Sequence, residues 1–154
     1  MCWRCDHPEA SLDDYLDLLQ EKIVQHGWAI QYVESERTPF AYTVGLHECG
    51  LPELLITALS PRRSLQLLNS AADYCIRNDT PNPGEHMDFP DGQWVEFVDV
   101  SQPDAHLGMA INMFGPRVRA RQLVWADANG RWPWCRDFNP RGPRQPVLGV
   151  RASR

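Results

Sequence analysis

No stretch of this chain approaches the roughly 18 consecutive apolar residues that a membrane-spanning helix needs. The opening residues MCWRCDHPEA lack the apolar core of a secretion signal, so an exported protein is not expected. A P-loop, a Rossmann glycine fingerprint, a G-x-S-x-G elbow and an H-E-x-x-H pair are all missing, which removes the commonest signatures of nucleotide binding, serine hydrolysis and zinc proteolysis. Lysine is nearly absent too: Lys22 stands alone among 15 basic residues. There is no internal repeat and no low-complexity tract.

What is present is ordinary globular composition, with 43% hydrophobic and 23% charged residues in 154. That length supports one domain with a real core. The expected organisation is a single domain over residues 1–138, followed by a Pro/Arg-rich tail over 139–154. The net charge of −5 conceals an asymmetry, because acids crowd the first 110 residues and arginines the last 44. A basic final third could meet an anion or an acidic partner. It could equally neutralise the acidic body of the same fold. Nucleic-acid domains are usually basic overall, so the acidic total argues against that partner. An odd count of five cysteines without an export signal reads as reduced thiols or metal ligands in a cytoplasm.

Along the chain, Ser11 and Asp14 form a capping-box-like start. Leu12, Tyr15, Leu16, Leu19 and Ile23 follow at helical spacing, and Gly27 supplies a left-handed stop. Trp28, Ile30 and Tyr32 alternate as a strand, and Phe40 to Leu46 form a second. The unbroken apolar run Leu54–Leu59 predicts a third strand buried on both sides. Ser60–Pro61 opens a helix whose inner stripe is Leu65, Leu68, Ala72 and Cys75. Residues 78–92 hold three prolines and are expected as a loop, either an ordered lid or a mobile connection. A strand over 94–100, a helix from about Ser101–Pro103 to Phe114 and a strand over 119–126 complete the set. The result is an α+β domain with three helices and a mostly antiparallel sheet of about five strands.

Several constellations could carry chemistry. Cys2-x-x-Cys5-x-His7 can grip one tetrahedral zinc, with His47 and Cys49, or Cys135, completing the ligand set. The same pair could act as a redox couple, although it precedes the helix by several residues, and removal of Met1 would expose Cys2 as a nucleophile. A frayed pair of thiols is the plain alternative. Ser60, Arg62, Arg63 and Ser64 at a helix start could hold a phosphate or carboxylate, or simply be solvated. Arg119, Arg121, Trp125, Arg131, Trp132 and Trp134 interleave guanidinium and aromatic groups that could stack a planar ligand or partner. Core packing explains the same tryptophans. Cys49 with His47 or His106 could form a dyad, and Glu53 beside a buried strand is either catalytic or a cap on the turn.

Across MCWRCDHPEASLDDYL, FAYTVGLHECGLPELLITAL, LLNSAAD, RARQLVWADANGRWPW and QPVLG, the chain resembles the bacterial domain-of-unknown-function family 4262. AYTVGL and GLPEL are the most specific parts. The resemblance implies that the N-terminal cysteines and Gly50-Leu51-Pro52-Glu53 belong to a family pattern, and it implies no activity. Residues 40–70 are also similar to the start of flavin-binding split-barrel reductases, which would place a flavin phosphate near Arg62 and Arg63. Three functions follow as expectations. One is a binding domain for an anionic small molecule or a partner, with a structural metal. The others are a flavin- or metal-dependent redox enzyme and an interaction module using the basic C-terminal third.

Overall fold

The computed structural model describes residues 11–35 and 37–152. Helix α1 (Leu12–His26) starts as the sequence predicts. The Ser11 hydroxyl accepts from the Asp14 N–H at 3.1 Å, and the Asp14 carboxylate accepts from the Ser11 N–H at 3.0 Å. Two orphan amides are satisfied, and an acid sits at the positive end of the helix dipole. Gly27, at φ 92°, closes the helix in a conformation that disfavours any Cβ.

Strands β1 (Ala29–Val33), β2 (Phe40–Val44) and β3 (Glu53–Thr57) form the expected antiparallel meander, with a 3₁₀ turn over Leu46–Cys49 between β2 and β3. Ser60 then caps α2 (Pro61–Asn78), its hydroxyl accepting from the Arg63 N–H at 3.2 Å, with Pro61 in the first turn.

The expected loop holds a strand, β4 (His86–Asp88), which forms a hairpin with β5 (Trp94–Asp99). Its three residues, His-Met-Asp, are too few to show an alternating pattern, and only the pairing with β5 identifies them. The expected third helix is broken into α3 (Pro103–His106) and α4 (Gly108–Phe114). Between them Leu107, at ψ 58°, leaves helical geometry and is fully buried, and the glycine that follows is a poor helix former.

Strand β6 (Ala120–Trp125) comes last and lies near the middle of the sheet, whose order is β1-β2-β3-β6-β5-β4. It runs parallel to β3 and antiparallel to β5. Among the described residues the sheet therefore has six strands rather than five and is mixed through one parallel pair. It is also open, with β1 and β4 at its ends.

α2 packs on one face over Leu54, Ile56, Phe97 and Leu123. α1, α3 and α4 cover the other face over Tyr42, Val44 and Leu55. With both faces covered, every residue of β3 is buried. Among the described residues no helix is long and apolar enough to cross a membrane.

The proline-rich tail lies extended against the sheet. Prolines cannot donate, and side-chain amides of two glutamines make several of the connections. The Gln145 amide donates to the Trp125 carbonyl and accepts from the Trp125 N–H, both at 2.8 Å, completing the end of β6. Gln122 donates to the Pro146 carbonyl at 2.7 Å and accepts from the Leu148 N–H at 2.8 Å. At Gly149 a Cβ would come within 1.8 Å of the Asp99 carbonyl oxygen, so glycine alone permits this approach.

Candidate functional site

Cys2, Cys5 and His7 lie outside the described residues. Their expected partners His47 and Cys49 sit on the 3₁₀ turn, where the His47 ring stacks on Phe114 at 5.4 Å and Cys49 is exposed. Cys135 is exposed in the loop after β6. Among the described residues, no group of three or more His, Cys, Asp or Glu side chains is placed to hold a metal ion.

Glu53 is resolved as a turn clamp. Its Oε1 accepts from the Thr43 hydroxyl at 2.8 Å and the Leu46 N–H at 3.0 Å; its Oε2 accepts from the Gly45 N–H at 2.8 Å and the His47 N–H at 3.3 Å. Burial pushes its carboxyl above the ordinary value, and these donors offset only part of that rise.

The residues expected to bind an anion are spent differently from one another. The Ser60 hydroxyl caps α2, Arg62 is exposed, and Ser64 is buried. Arg63 instead reaches across to the β4–β5 hairpin. Its Nη1 donates to Asp91 Oδ2 at 2.5 Å and to Gln66 Oε1 at 3.3 Å, and its Nη2 donates to Gln93 Oε1 at 3.4 Å. The guanidinium holds the Asp91 carboxyl below its ordinary value.

Beside this ion pair opens a cleft of about 450 Å³, walled by Arg63, Asp91, Gln93, Trp94, Asp127 and Gly130 among others. Trp94 is 49% exposed. Gln93 pins the hairpin to the end of β6, its amide donating to the Ala126 carbonyl at 2.8 Å. Asp127 shapes the far wall by accepting from the N–H groups of Asn129 and Arg131 at 2.9 Å and Asn139 at 2.7 Å. Burial alone would raise its carboxyl, but these three donors outweigh it and hold the group below its ordinary value.

The arginine and tryptophan set of the C-terminal third divides. Trp125 is core, its indole N–H donating to the Thr57 carbonyl at 2.8 Å. Arg119 donates to the Gly50 carbonyl at 3.1 Å, Arg121 to the Pro81 carbonyl at 2.7 Å, and Arg131 to the Asp137 carbonyl at 3.1 Å. Trp132 and Trp134 stack on each other at 5.5 Å and 9°. The guanidinium over this stack comes from Arg151, 3.7 Å from the Trp134 ring, and not from the three arginines the sequence suggested.

His86 lies 5.0 Å from Trp132 and 6.4 Å from Trp94, so the stack and the cleft share the β4–β5 hairpin. Buried Glu96 ties His86 to Arg151. It meets His86 Nε2 at 2.8 Å and receives Arg151 Nε at 2.9 Å and Nη2 at 3.1 Å. Burial raises its carboxyl, but hydrogen bonds and charge from Arg151 and His86 outweigh burial and leave it below the ordinary value.

The structure thus brings Arg63, through Asp91, and Trp132, through His86, to the same β4–β5 hairpin, and leaves Arg121 on β6 and Arg119 just before it, away from both. Sequence reasoning missed Asp91, Gln93, Trp94, Glu96 and Arg151. The legible signal was Pro90-Asp91-Gly92, a turn followed almost at once by a large aromatic residue.

Comparison with curated proteins and with solved structures gives no match. Residues 22–139 match the family described as "Domain of unknown function (DUF4262)", and with most of its length inside that match this chain belongs to the family.

Proposed function

We propose that this chain is a binding domain for a small anionic molecule carrying an aromatic ring, held in the cleft between the start of α2 and the β4–β5 hairpin. One observation carries the reading: Trp94, half exposed, and Arg63 both line one cleft of about 450 Å³. A planar ring gains most by stacking on an indole, and a guanidinium fork matches a carboxylate or phosphate. The volume lies in the usual range for small-molecule sites.

The test is to titrate phenylacetate and follow the backbone and indole N–H signals by NMR. The signals of Trp94 and Gln93 are expected to move together, and Arg63→Ala should weaken binding by about tenfold. Those signals standing still with phenylacetate, benzoate and phenyl phosphate alike would overturn the reading.

A second reading concerns the N-terminus, on the spacing of Cys2 and Cys5. We infer a structural zinc held by these thiolates and His7, with His47, Cys49 or Cys135 as candidate further ligands. About one zinc per chain by elemental analysis, lost in Cys5→Ser, supports it; equal metal content in both proteins removes it. Reduced cysteines suit a cytoplasmic setting. A flavin phosphate at Arg62 and Arg63 together has less support, since Arg62 is exposed and is not among the residues that line the cleft.

A further inference from the structure

The cleft beside Trp94 has a neighbour at the Arg63–Asp91 pair. Across the Arg63–Asp91 pair lies a second cavity of about 230 Å³, lined by Gln66, Leu67, Ser70, Phe89 and Pro90. Arg63 and Asp91 stand in the walls of both cavities. The ion pair therefore stands between the two cavities. Its two sides differ in chemistry, with Trp94, Gln93 and Asp127 on one and Leu67, Phe89 and Pro90 on the other.

The two members of the pair are not equally held. The Arg63 side chain is 29% exposed and has Gln66 and Gln93 as further partners. The Asp91 side chain is 49% exposed and sits on the hairpin turn, where its other oxygen accepts from the Gln93 N–H at 3.1 Å. Exposed ion pairs of this kind contribute little and open readily, and a released Asp91 would be solvated at once. Arg63 keeps its place through its amide partners.

We propose that Asp91 is an internal place-holder for a ligand carboxylate. The ligand's carboxylate takes the Arg63 guanidinium, displaces Asp91 and joins the two cavities. An aromatic ring then lies against Trp94, and a short apolar chain lies against Leu67, Phe89 and Pro90. A carboxylate with a ring on one arm and an apolar chain on another describes the N-acylated aromatic amino acids, and the two cavities select that chemical class. The inference rests on the cleft being a ligand site. It adds the displacement of Asp91 and the second arm.

Calorimetry on the full chain tests it with three probes: N-hexanoyl-phenylalanine, N-acetyl-phenylalanine and phenylacetate. The hexanoyl compound should bind about tenfold or more tighter than the acetyl compound, because its extra methylenes enter the apolar cavity. Asp91→Asn should tighten all three by about three- to tenfold, because it keeps the turn contact to Gln93 and removes the competing charge. Phe89→Ala should erase the chain-length preference; circular dichroism checks its fold, and Pro90→Ala is the substitute where folding fails.

Unchanged or weaker binding in Asp91→Asn, with no chain-length preference in the parent protein, overturns the place-holder proposal. If phenylacetate still binds in that case, the cleft reading stands. Absence of binding by any probe to both the parent protein and Asp91→Asn overturns both.

Discussion

Glu53 and Glu96 are both buried in the same sheet, with 0% and 1% of their surfaces exposed, yet their environments move them in opposite directions. Glu53 is surrounded by neutral donors, the Thr43 hydroxyl and three backbone N–H groups, and its carboxyl is pushed up. Glu96 meets a guanidinium and an imidazole, and its carboxyl is pulled down. Desolvation acts on both; the sign is decided by whether charged partners are near enough to outweigh it. The two residues also differ in reach. Glu53 closes a turn within ten residues of itself, whereas Glu96 binds Arg151, 55 residues further on, and so fastens the tail.

The largest effect is expected at Glu53. Glu53→Leu strands the Gly45 and Leu46 N–H groups and the Thr43 hydroxyl, each worth about 1–3 kcal/mol when buried unpaired, so a loss of about 4 kcal/mol is expected in urea denaturation. Should that variant not fold, Glu53→Gln, which keeps one acceptor oxygen, should lose roughly half as much. A loss below about 1 kcal/mol would mean that the turn rearranges around the vacancy.

Glu96→Gln is expected to cost less, about 2 kcal/mol, the range for hydrogen bonds to charged groups. Its distinguishing mark is location. Exchange of the Leu148 N–H, now bonded to Gln122, should accelerate as the tail loosens, while Glu53→Gln leaves that amide protected. Equal exchange in the two variants would show that Glu96 does not fasten the tail.

The smallest effect is the pH dependence, where the two should have opposite signs. The folded pKa of Glu96 lies below its unfolded value. Its stabilisation is therefore complete above the ordinary carboxyl range near about 4.3 and is lost as pH falls through the folded value. The folded pKa of Glu53 lies above its unfolded value, so protonation favours the folded state. Its contribution grows as pH falls through the folded value and shrinks above it. Melting temperatures measured from about pH 7 to pH 3 should fall less steeply at the acid end in Glu96→Gln and more steeply in Glu53→Gln. Identical slopes would contradict the assigned directions.

Much of the local architecture was legible. Ser11 with Asp14 and Gly27 marked both ends of α1, Ser60–Pro61 marked the start of α2, and the apolar run after Pro52 announced a strand covered on both faces. These signals act over a few residues, through caps and periodicity, and do not depend on what the rest of the chain does. β4 was missed because three residues paired at a sheet edge carry no period of their own. Leu107 interrupts the expected third helix while its side chain is fully buried in the core.

The site was legible only in fragments. Arg63 stood out for its place at a helix start, but its closest partner, Asp91, is 28 residues away on a hairpin turn. Trp132 and Trp134 stood out as aromatics among arginines, but the guanidinium they receive is that of Arg151 in the tail. By itself the sequence determined where α1 begins and ends, where α2 begins, and that the protein is an α+β domain, because hydrogen-bond caps and apolar periodicity are local. Tertiary structure alone decided that β6 enters between β3 and β5, that the tail lies across the sheet, and that Arg63, Trp94 and Asp127 share one cleft. Those contacts are chosen by packing and charge pairing between distant segments, which no short window of residues contains.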